Sequence, residues 1–195
     1  MISYLPNIIS ALRVAISPVF FALLVSEREE NKLLAAALFV VGAVTDYFDG
    51  WVARRYGVVS RWGTFIDPLA DKFLTTAAFI GFAFLSVIPW WMVSIVILRD
   101  FGTTFLRVYA EKYDIKMKTS RGAKTKTFLQ MSFISYVLTL MAISGSGVSA
   151  LDSDTLHELV YSAFTYYAMA ALTALSVWTL LEYLFAVIPA KLKAR

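Results

Sequence analysis

The sequence predicts an all-α integral membrane protein with six transmembrane helices and one polar site at a membrane face. Its 59% hydrophobic content and mean hydropathy of +0.68 exceed what a soluble domain of 195 residues tolerates. Long apolar stretches alternate with short charged segments. Residues 45–72 are the exception, because they place four aspartates in an otherwise apolar chain.

Composition also restricts the class of protein. We expect one membrane domain, residues 1–195, without an internal repeat. The formal charge is +4 and the pI is near 9.3, but the basic residues form short clusters between apolar runs, so we expect no nucleic-acid partner. The chain has no cysteine, which excludes disulfides, thiolate metal sites and cysteine nucleophiles. The N-terminus has no basic segment before its apolar stretch, so we expect a retained membrane helix rather than a signal peptide.

The first half of the chain predicts three helices. The first, about 6–25, is long enough to cross roughly 30 Å of hydrocarbon, although polar residues interrupt its first half. A charged loop at 26–32 leads to a second helix that carries Asp46 and Asp49 near its far end. After a basic turn at 54–61, the third helix starts around Gly63 and continues to about Val87.

The second half predicts three more helices. The sequence IPWW at 88–91 combines a proline break with two tryptophans at headgroup level, and the fourth helix follows to about Ala110. A basic loop precedes a fifth helix at about 128–143, and a final long helix runs from after Asp154 to about Ile188. Lysine and arginine crowd alternate loops and the tail, so the positive-inside rule predicts cytoplasmic termini and a cytoplasmic aspartate site.

The four aspartates predict a metal site. Asp46 and Asp49 are three residues apart and Asp67 and Asp71 are four apart, so each pair lies on one face of its helix. Carboxylates at this density in a low dielectric repel each other and take up protons unless divalent cations neutralise them. A hard, oxygen-liganded ion such as Mg²⁺, Mn²⁺ or Ca²⁺ is the natural partner.

The residues between the two pairs suit a phosphate-bearing ligand. Gly50 and Ala53 allow a ligand to approach the helix closely, and the guanidinium of Arg54 can bind phosphate oxygens. The complete pattern reads D-x-x-D-G-x-x-A-R-x8-G-x3-D-x3-D from Asp46 to Asp71. It resembles the signature of the CDP-alcohol phosphatidyltransferases, in which an alcohol hydroxyl attacks the lipid-proximal phosphorus of a CDP-lipid and CMP leaves.

This resemblance implies a role for each matching residue. The four aspartates match the ligands of Mg²⁺ or Mn²⁺, with two ions, and Asp71 also matches the general base. The residues that match contacts to the CDP-lipid are Asn7, Ser10, Gly50, Ala53, Arg54 and Ser60. The resemblance also implies CDP-diacylglycerol as donor, a membrane-lipid environment, a homodimer and the bacterial cytoplasmic membrane.

Later residues bear on the acceptor alcohol. The patterns R-D-x6-R from Arg99 and G-x-K-x-K-T-x-x-Q to Gln130 resemble those of the bacterial phosphatidylglycerophosphate synthases. Convergent cations suit an acceptor that itself carries a phosphate, and glycerol 3-phosphate fits. The candidate phosphate-binding residues are Arg99, Arg107, Arg121, Lys124 and Lys126. For the lysines, loop topology and attraction to anionic lipid are the alternative explanation.

Two alternative functions remain open at this stage. The acceptor could be inositol phosphate, serine or phosphatidylglycerol, because the aspartate motif does not distinguish them. Intramembrane carboxylates could also line a cation transport path. A transporter would need ionisable residues through the depth of the bilayer, whereas here they collect at one face.

Overall fold

The structure is a computed structural model, and it is all-helical in the parts of the chain that it describes. Its backbone description covers residues 5–56, 63–112, 121–146 and 153–193. Its side-chain description covers residues 12–45, 72–106, 108, 122–145 and 154–185. The statements below about contacts refer to these residues.

Seven helices lie within the described residues. They are α1 (Leu5–Leu24), α2 (Glu30–Tyr56), α3 (Gly63–Phe84), α4 (Trp90–Lys112), α5 (Arg121–Ser146), α6 (Ser153–Val160) and α7 (Ala163–Lys193). Six of them are 20 to 31 residues long, which confirms the predicted number of long helices. The additional helix, α6, has eight residues.

The predicted final helix is therefore interrupted, and the interruption is local to Tyr161 and Ser162. The hydroxyl of Ser162 accepts the backbone N–H of Thr165 at 3.3 Å, as the first residue before a helix commonly does. The same hydroxyl donates to the Leu159 carbonyl at 2.7 Å, at the end of α6. The Ser162 side chain thus bonds to the last turn of α6 and to the first turn of α7, and no proline or glycine lies at the break.

The break predicted at IPWW is present. Ser86 has a φ of 60°, its N–H bonds to the Ala83 carbonyl and the N–H of Val87 bonds to the Phe82 carbonyl. This pair of hydrogen bonds around a left-handed residue is the Schellman ending of a helix. α4 then begins at Trp90, directly after Pro89.

Contacts between the helices define two ends of the bundle. At the first, the Lys32 end, the Lys32 ammonium donates to the Leu24 carbonyl at 2.7 Å, and the Tyr161 hydroxyl donates to the Leu85 carbonyl at 3.0 Å. The first bond joins the end of α1 to the start of α2, and the second joins the residue after α3 to the turn between α6 and α7. At the opposite end, the Asp100 end, side chains of α4, α5 and α7 meet around Asp100.

Aromatic side chains fill the core between the two ends. Phe20 of α1 lies against Phe39 of α2 with ring centroids 5.8 Å apart. Phe133 of α5 contacts Phe79 and Phe82 of α3, with centroids 6.3 and 6.5 Å away. All five side chains are buried, so α1, α2, α3 and α5 share one apolar core.

The outer surface of the described residues is also apolar. Leu98, Phe128 and Phe185 are each more than 70% exposed. Two stretches, Gly122–Gly145 and Asp154–Phe185, are long and apolar enough to cross a membrane by length and composition. Isolated exposed leucines are ordinary on proteins, but large aromatic and aliphatic side chains spread over several helices suit contact with lipid.

Candidate functional site

The four motif aspartates lie on two helices, and helix geometry brings both pairs to the same level. Asp46 and Asp49 are in α2, and Asp67 and Asp71 are in α3. Asp46 follows Lys32 by fourteen residues and Asp71 precedes Leu85 by fourteen residues. At 1.5 Å per residue, each lies about 21 Å along its helix from the Lys32 end. Both pairs are therefore at the Asp100 end.

The predicted CDP-lipid contacts follow the same pattern. Ser10 precedes Leu24 by fourteen residues in α1, so it too lies about 21 Å from the Lys32 end. Asn7 is one turn further out in α1, and Gly50, Ala53 and Arg54 continue α2 beyond Asp49. The side chains of these residues and of the four aspartates lie outside the described residues. Ser60 lies outside the described backbone as well.

The donor set at this level fits a hard divalent cation. Two carboxylate pairs at helical spacing on two helices offer oxygen ligands of the kind that Mg²⁺ and Mn²⁺ prefer. Among the side chains that the structure describes, no group of three or more histidine, aspartate or glutamate residues could hold a metal elsewhere. The aspartate motif is thus the chain's candidate metal site.

A buried polar cluster lies at the Asp100 end, formed by Arg99, Asp100, Lys126, Gln130 and Thr179. We call it the Asp100 cluster. The Lys126 ammonium donates to Asp100 Oδ1 at 2.5 Å and to Gln130 Oε1 at 2.5 Å. The amide of Gln130 donates to Asp100 Oδ2 at 3.2 Å. Asp100, Lys126 and Gln130 therefore form a closed ring of hydrogen bonds between α4 and α5.

Arg99 joins this ring to the last helix. Its Nη1 donates to Asp100 Oδ1 at 3.0 Å, while its Nε and Nη2 both donate to Thr179 Oγ1, at 3.1 and 2.9 Å. The Thr179 hydroxyl donates in turn to the Ser176 carbonyl at 3.0 Å. A hydroxyl has one proton and two lone pairs, so all three are used.

Burial makes the charges of this cluster significant. Lys126 is 1% exposed, Arg99 6%, Asp100 8% and Thr179 0%. Charged side chains at this depth occur where they are paired and hydrogen-bonded, and within membrane proteins they usually mark function. The Asp100 cluster also lies near the aspartate motif, because Lys72, the residue after Asp71, interacts electrostatically with Asp100 and Lys126.

The structure brings together some of the predicted acceptor residues and separates others. Arg99 and Lys126 meet on Asp100, whereas Lys124 is exposed. Residues two apart on a helix point about 200° apart, so Lys124 and Lys126 lie on different sides of α5. Arg107 in α4 and Arg121 in α5 are placed on their helices, and their side chains lie outside the described residues.

Sequence reasoning missed Thr179 and did not give Arg13 a role. Thr179 is one hydroxyl in an apolar helix, and its partner Arg99 is 80 residues away, so no local pattern indicates it. Arg13 is a cation in the apolar stretch of α1 and is 4% exposed. The sequence alone could have marked Arg13 as a candidate functional residue, because charged residues are rare within membrane helices.

Comparison with known proteins agrees with the motif. The chain is 36% identical to a protein named "Probable phosphatidylglycerophosphate synthase" from Mycobacterium tuberculosis (strain ATCC 25618 / H37Rv) over 147 residues, which cover 74% of this chain and 69% of the relative. It is 31% identical over 188 residues to a protein named "CDP-diacylglycerol--glycerol-3-phosphate 3-phosphatidyltransferase" from Blochmanniella floridana, covering 94% and 90% of the two chains. A Bacillus subtilis (strain 168) protein of that second name is 32% identical over 146 residues, covering 69% and 76%.

The family comparison covers nearly the whole chain. The family model described as CDP-alcohol phosphatidyltransferase matches residues 3–188, a range that includes all seven helix starts and every motif discussed above. The chain is therefore an enzyme that belongs to the CDP-alcohol phosphatidyltransferase family.

Proposed function

We propose that this enzyme transfers the phosphatidyl group from CDP-diacylglycerol to glycerol 3-phosphate, giving phosphatidylglycerophosphate and CMP. The observation that carries this proposal is the complete aspartate motif on α2 and α3, at the end of the bundle where the basic residues of α4 and α5 collect. A relative that aligns with 94% of the chain bears the name of this reaction.

The reaction divides among residues of this chain. Asp71 takes the proton from the attacking hydroxyl of the acceptor, since a carboxylate is a suitable general base when it lies within hydrogen-bond reach. The attacking oxygen forms the new bond to phosphorus, and the bond to the CMP oxygen breaks. Arg54, Gly50 and Ala53 hold the diphosphate of the donor, with Asn7, Ser10 and Ser60 facing its nucleotide.

A divalent metal completes this site. Members of the family generally depend on one, and Asp46, Asp49, Asp67 and Asp71 are the residues that would hold Mg²⁺ or Mn²⁺, with two ions. When bound, the ions supply charge that stabilises the phosphate oxygens during the transfer. The four aspartates stand on the regular backbone of α2 and α3, and ligands carried by such elements favour reaction when little reorganisation is needed.

The acceptor phosphate requires positive charge near this centre. Arg107, Arg121 and Lys124 are proposed to contact it from α4 and α5. Arg99 and Lys126 are proposed to contribute positive charge to the same site. Their described hydrogen bonds go to protein groups, so a direct phosphate contact would exchange one of those bonds. Free glycerol would be a poor acceptor, because it would leave cations without an anion.

The setting follows from the apolar surface. We propose a multi-pass protein of the bacterial cytoplasmic membrane, working as a homodimer with the Asp100 end facing the cytoplasm. That end lies with the basic segments, as the positive-inside rule requires for cytoplasmic loops. A lipid donor with a water-soluble nucleotide headgroup would then reach the aspartates from the bilayer surface.

The acceptor is the part of this proposal to test first. Purified enzyme with CDP-diacylglycerol and Mg²⁺ is offered glycerol 3-phosphate, glycerol, serine, inositol phosphate or phosphatidylglycerol, and the lipid product is identified by mass spectrometry. We expect phosphatidylglycerophosphate as the main product, formed only with glycerol 3-phosphate. Faster product formation with serine, inositol phosphate or phosphatidylglycerol would replace the acceptor and keep the family chemistry.

A further inference from the structure

We infer that Asp100, Gln130 and Thr179 position the buried cations Arg99 and Lys126 as a fixed positive charge behind the acceptor-phosphate site, which makes Thr179 of α7 a positioning residue for the acceptor. This inference rests on the proposed function. It adds a residue from a helix that carries none of the family motif, and it states what the Asp100 cluster does.

The geometry of Thr179 is the first step. Its hydroxyl accepts two N–H groups of the same guanidinium, at 3.1 and 2.9 Å, and so fixes the plane of that group. The remaining edge of the Arg99 guanidinium then faces Asp100 at 3.0 Å. Thr179 is fully buried, so a side chain of the same shape without the hydroxyl would leave no room for a water molecule to take over these bonds.

The charge of the cluster is the second step. Arg99 and Lys126 carry two positive charges and Asp100 carries one negative charge, so the described cluster retains one net positive charge. Gln130 and Thr179 are neutral and satisfy donors and acceptors without changing this balance. A net charge buried at this depth is costly unless an ion of opposite sign lies nearby. An anionic substrate would provide that ion.

The position of the cluster is the third step. It joins α4, α5 and α7 at the end of the bundle that also holds the aspartate motif, and it interacts electrostatically with Lys72, next to Asp71. The aspartate motif and the cluster thus lie at the same end of the bundle, and Lys72 follows the proposed base directly in the sequence. An acceptor whose hydroxyl approaches Asp71 would then have the net positive charge of the cluster near its phosphate.

The near-complete burial of both cations sets how they act. Residues 1% and 6% exposed cannot seat a phosphate without rearrangement, so their contribution is a preorganised field rather than a contact. Such a field favours an acceptor with a phosphate over a neutral alcohol. It acts on the donor less, because the donor diphosphate is held by Arg54 and the aspartate site.

The test is a comparison of KM values for four purified proteins in lipid–detergent micelles: wild type, Thr179→Val, Thr179→Ser and Thr173→Val. Thr179→Val removes the hydroxyl and keeps the side-chain shape. We expect its KM for glycerol 3-phosphate to rise about three- to thirtyfold, the range for residues that act on a ligand without touching it. The KM for CDP-diacylglycerol should stay unchanged, and Thr179→Ser should restore the wild-type KM for glycerol 3-phosphate.

Thr173→Val is the matched control. Thr173 is a buried threonine on the same helix, 4% exposed, and its hydroxyl donates to the Met169 carbonyl. An equal rise in both KM values for Thr179→Val, no rise at all, or the same rise for Thr173→Val would overturn the inference. Gln130→Met gives a second test if Thr179→Val does not fold, since it removes the amide from the ring and should raise the same KM. Wild-type enzyme that ignores glycerol 3-phosphate would instead refute the proposed function.

Discussion

Lys126 and Lys124 are two residues apart on α5, but Lys126 is buried and Lys124 is exposed. This difference predicts that replacement by methionine changes the stability of the protein at one position and not at the other. Lys126→Met removes two hydrogen bonds of the ammonium, to Asp100 and Gln130, from a site that is 1% exposed. Lys124→Met makes the same chemical change at an exposed position. We expect the first change to destabilise the protein and the second to leave its stability unchanged.

The magnitude follows from what each change leaves behind. Lys126→Met leaves Asp100 bound to Arg99 and Gln130 and makes the cluster neutral, so we expect a loss of about 1–3 kcal/mol. Asp100→Asn leaves two buried cations without a counter-charge, and breaking a buried pair in this way costs about 3–5 kcal/mol. Lys124→Met should stay within about 0.5 kcal/mol.

Thermal unfolding of the purified proteins in micelles measures how the three variants rank in stability. For a chain of this length, about 1 kcal/mol corresponds to 2–4 °C in Tm. We therefore expect Tm to fall by roughly 2–12 °C for Lys126→Met and roughly 6–20 °C for Asp100→Asn. Equal Tm values for the two lysine variants would refute the burial of Lys126. A smaller loss for Asp100→Asn than for Lys126→Met would refute the charge balance assigned to the cluster.

Three further predictions concern the aspartates, the acceptor and the bundle. Asp71→Asn should lower kcat by about 10²–10⁴-fold with little change in the KM for CDP-diacylglycerol, whereas Asp46→Asn should lower kcat and also raise that KM. If steady-state kinetics of Asp71→Asn show only weaker binding of CDP-diacylglycerol, Asp71 is not the general base. Arg107→Ala should raise the KM for glycerol 3-phosphate about tenfold or more and leave the donor KM unchanged. Gly145→Ala should lower the Tm measured by thermal unfolding, because the new Cβ would meet the Glu29 carbonyl. The Cβ of Gly102→Ala would meet nothing within 4 Å, so this variant should keep or raise the Tm. Equal Tm values for the two variants would contradict the close packing of α5 at the Lys32 end.

The number and order of the long helices could be predicted from sequence because hydropathy changes sharply at each charged segment. The break before α4 was also predictable, since Pro89 lacks a backbone N–H and disfavours a helical conformation in the residue before it, and two tryptophans typical of the headgroup level follow. The break at Ser162 was not, because it depends on one hydroxyl that satisfies both Leu159 and Thr165. A serine in an apolar run more often bonds to its own helix.

The candidate site shows the same division. Spacing alone placed the two aspartate pairs on helix faces, and helix lengths bring them to one level. The K-x-K pattern predicted one role for Lys124 and Lys126 at the acceptor phosphate, which stays a prediction; the structure adds that Lys126 is buried in the Asp100 cluster and Lys124 is exposed on a different side of α5. Asp100 is the aspartate of the R-D-x6-R pattern, and only the tertiary structure shows that it pairs with both Arg99 and Lys126.

One end of the bundle is proposed to combine metal-dependent transfer with recognition of an acceptor phosphate. The most direct measurement is the rate of CMP release from CDP-diacylglycerol by the wild-type enzyme, with glycerol 3-phosphate or glycerol, with Mg²⁺ or excess EDTA, and from neutral pH down to pH 4. We predict release that needs both glycerol 3-phosphate and Mg²⁺, and that falls with acidity as carboxylate ligands become protonated. Equal release with glycerol, full release in EDTA, or a rate independent of pH would contradict the account.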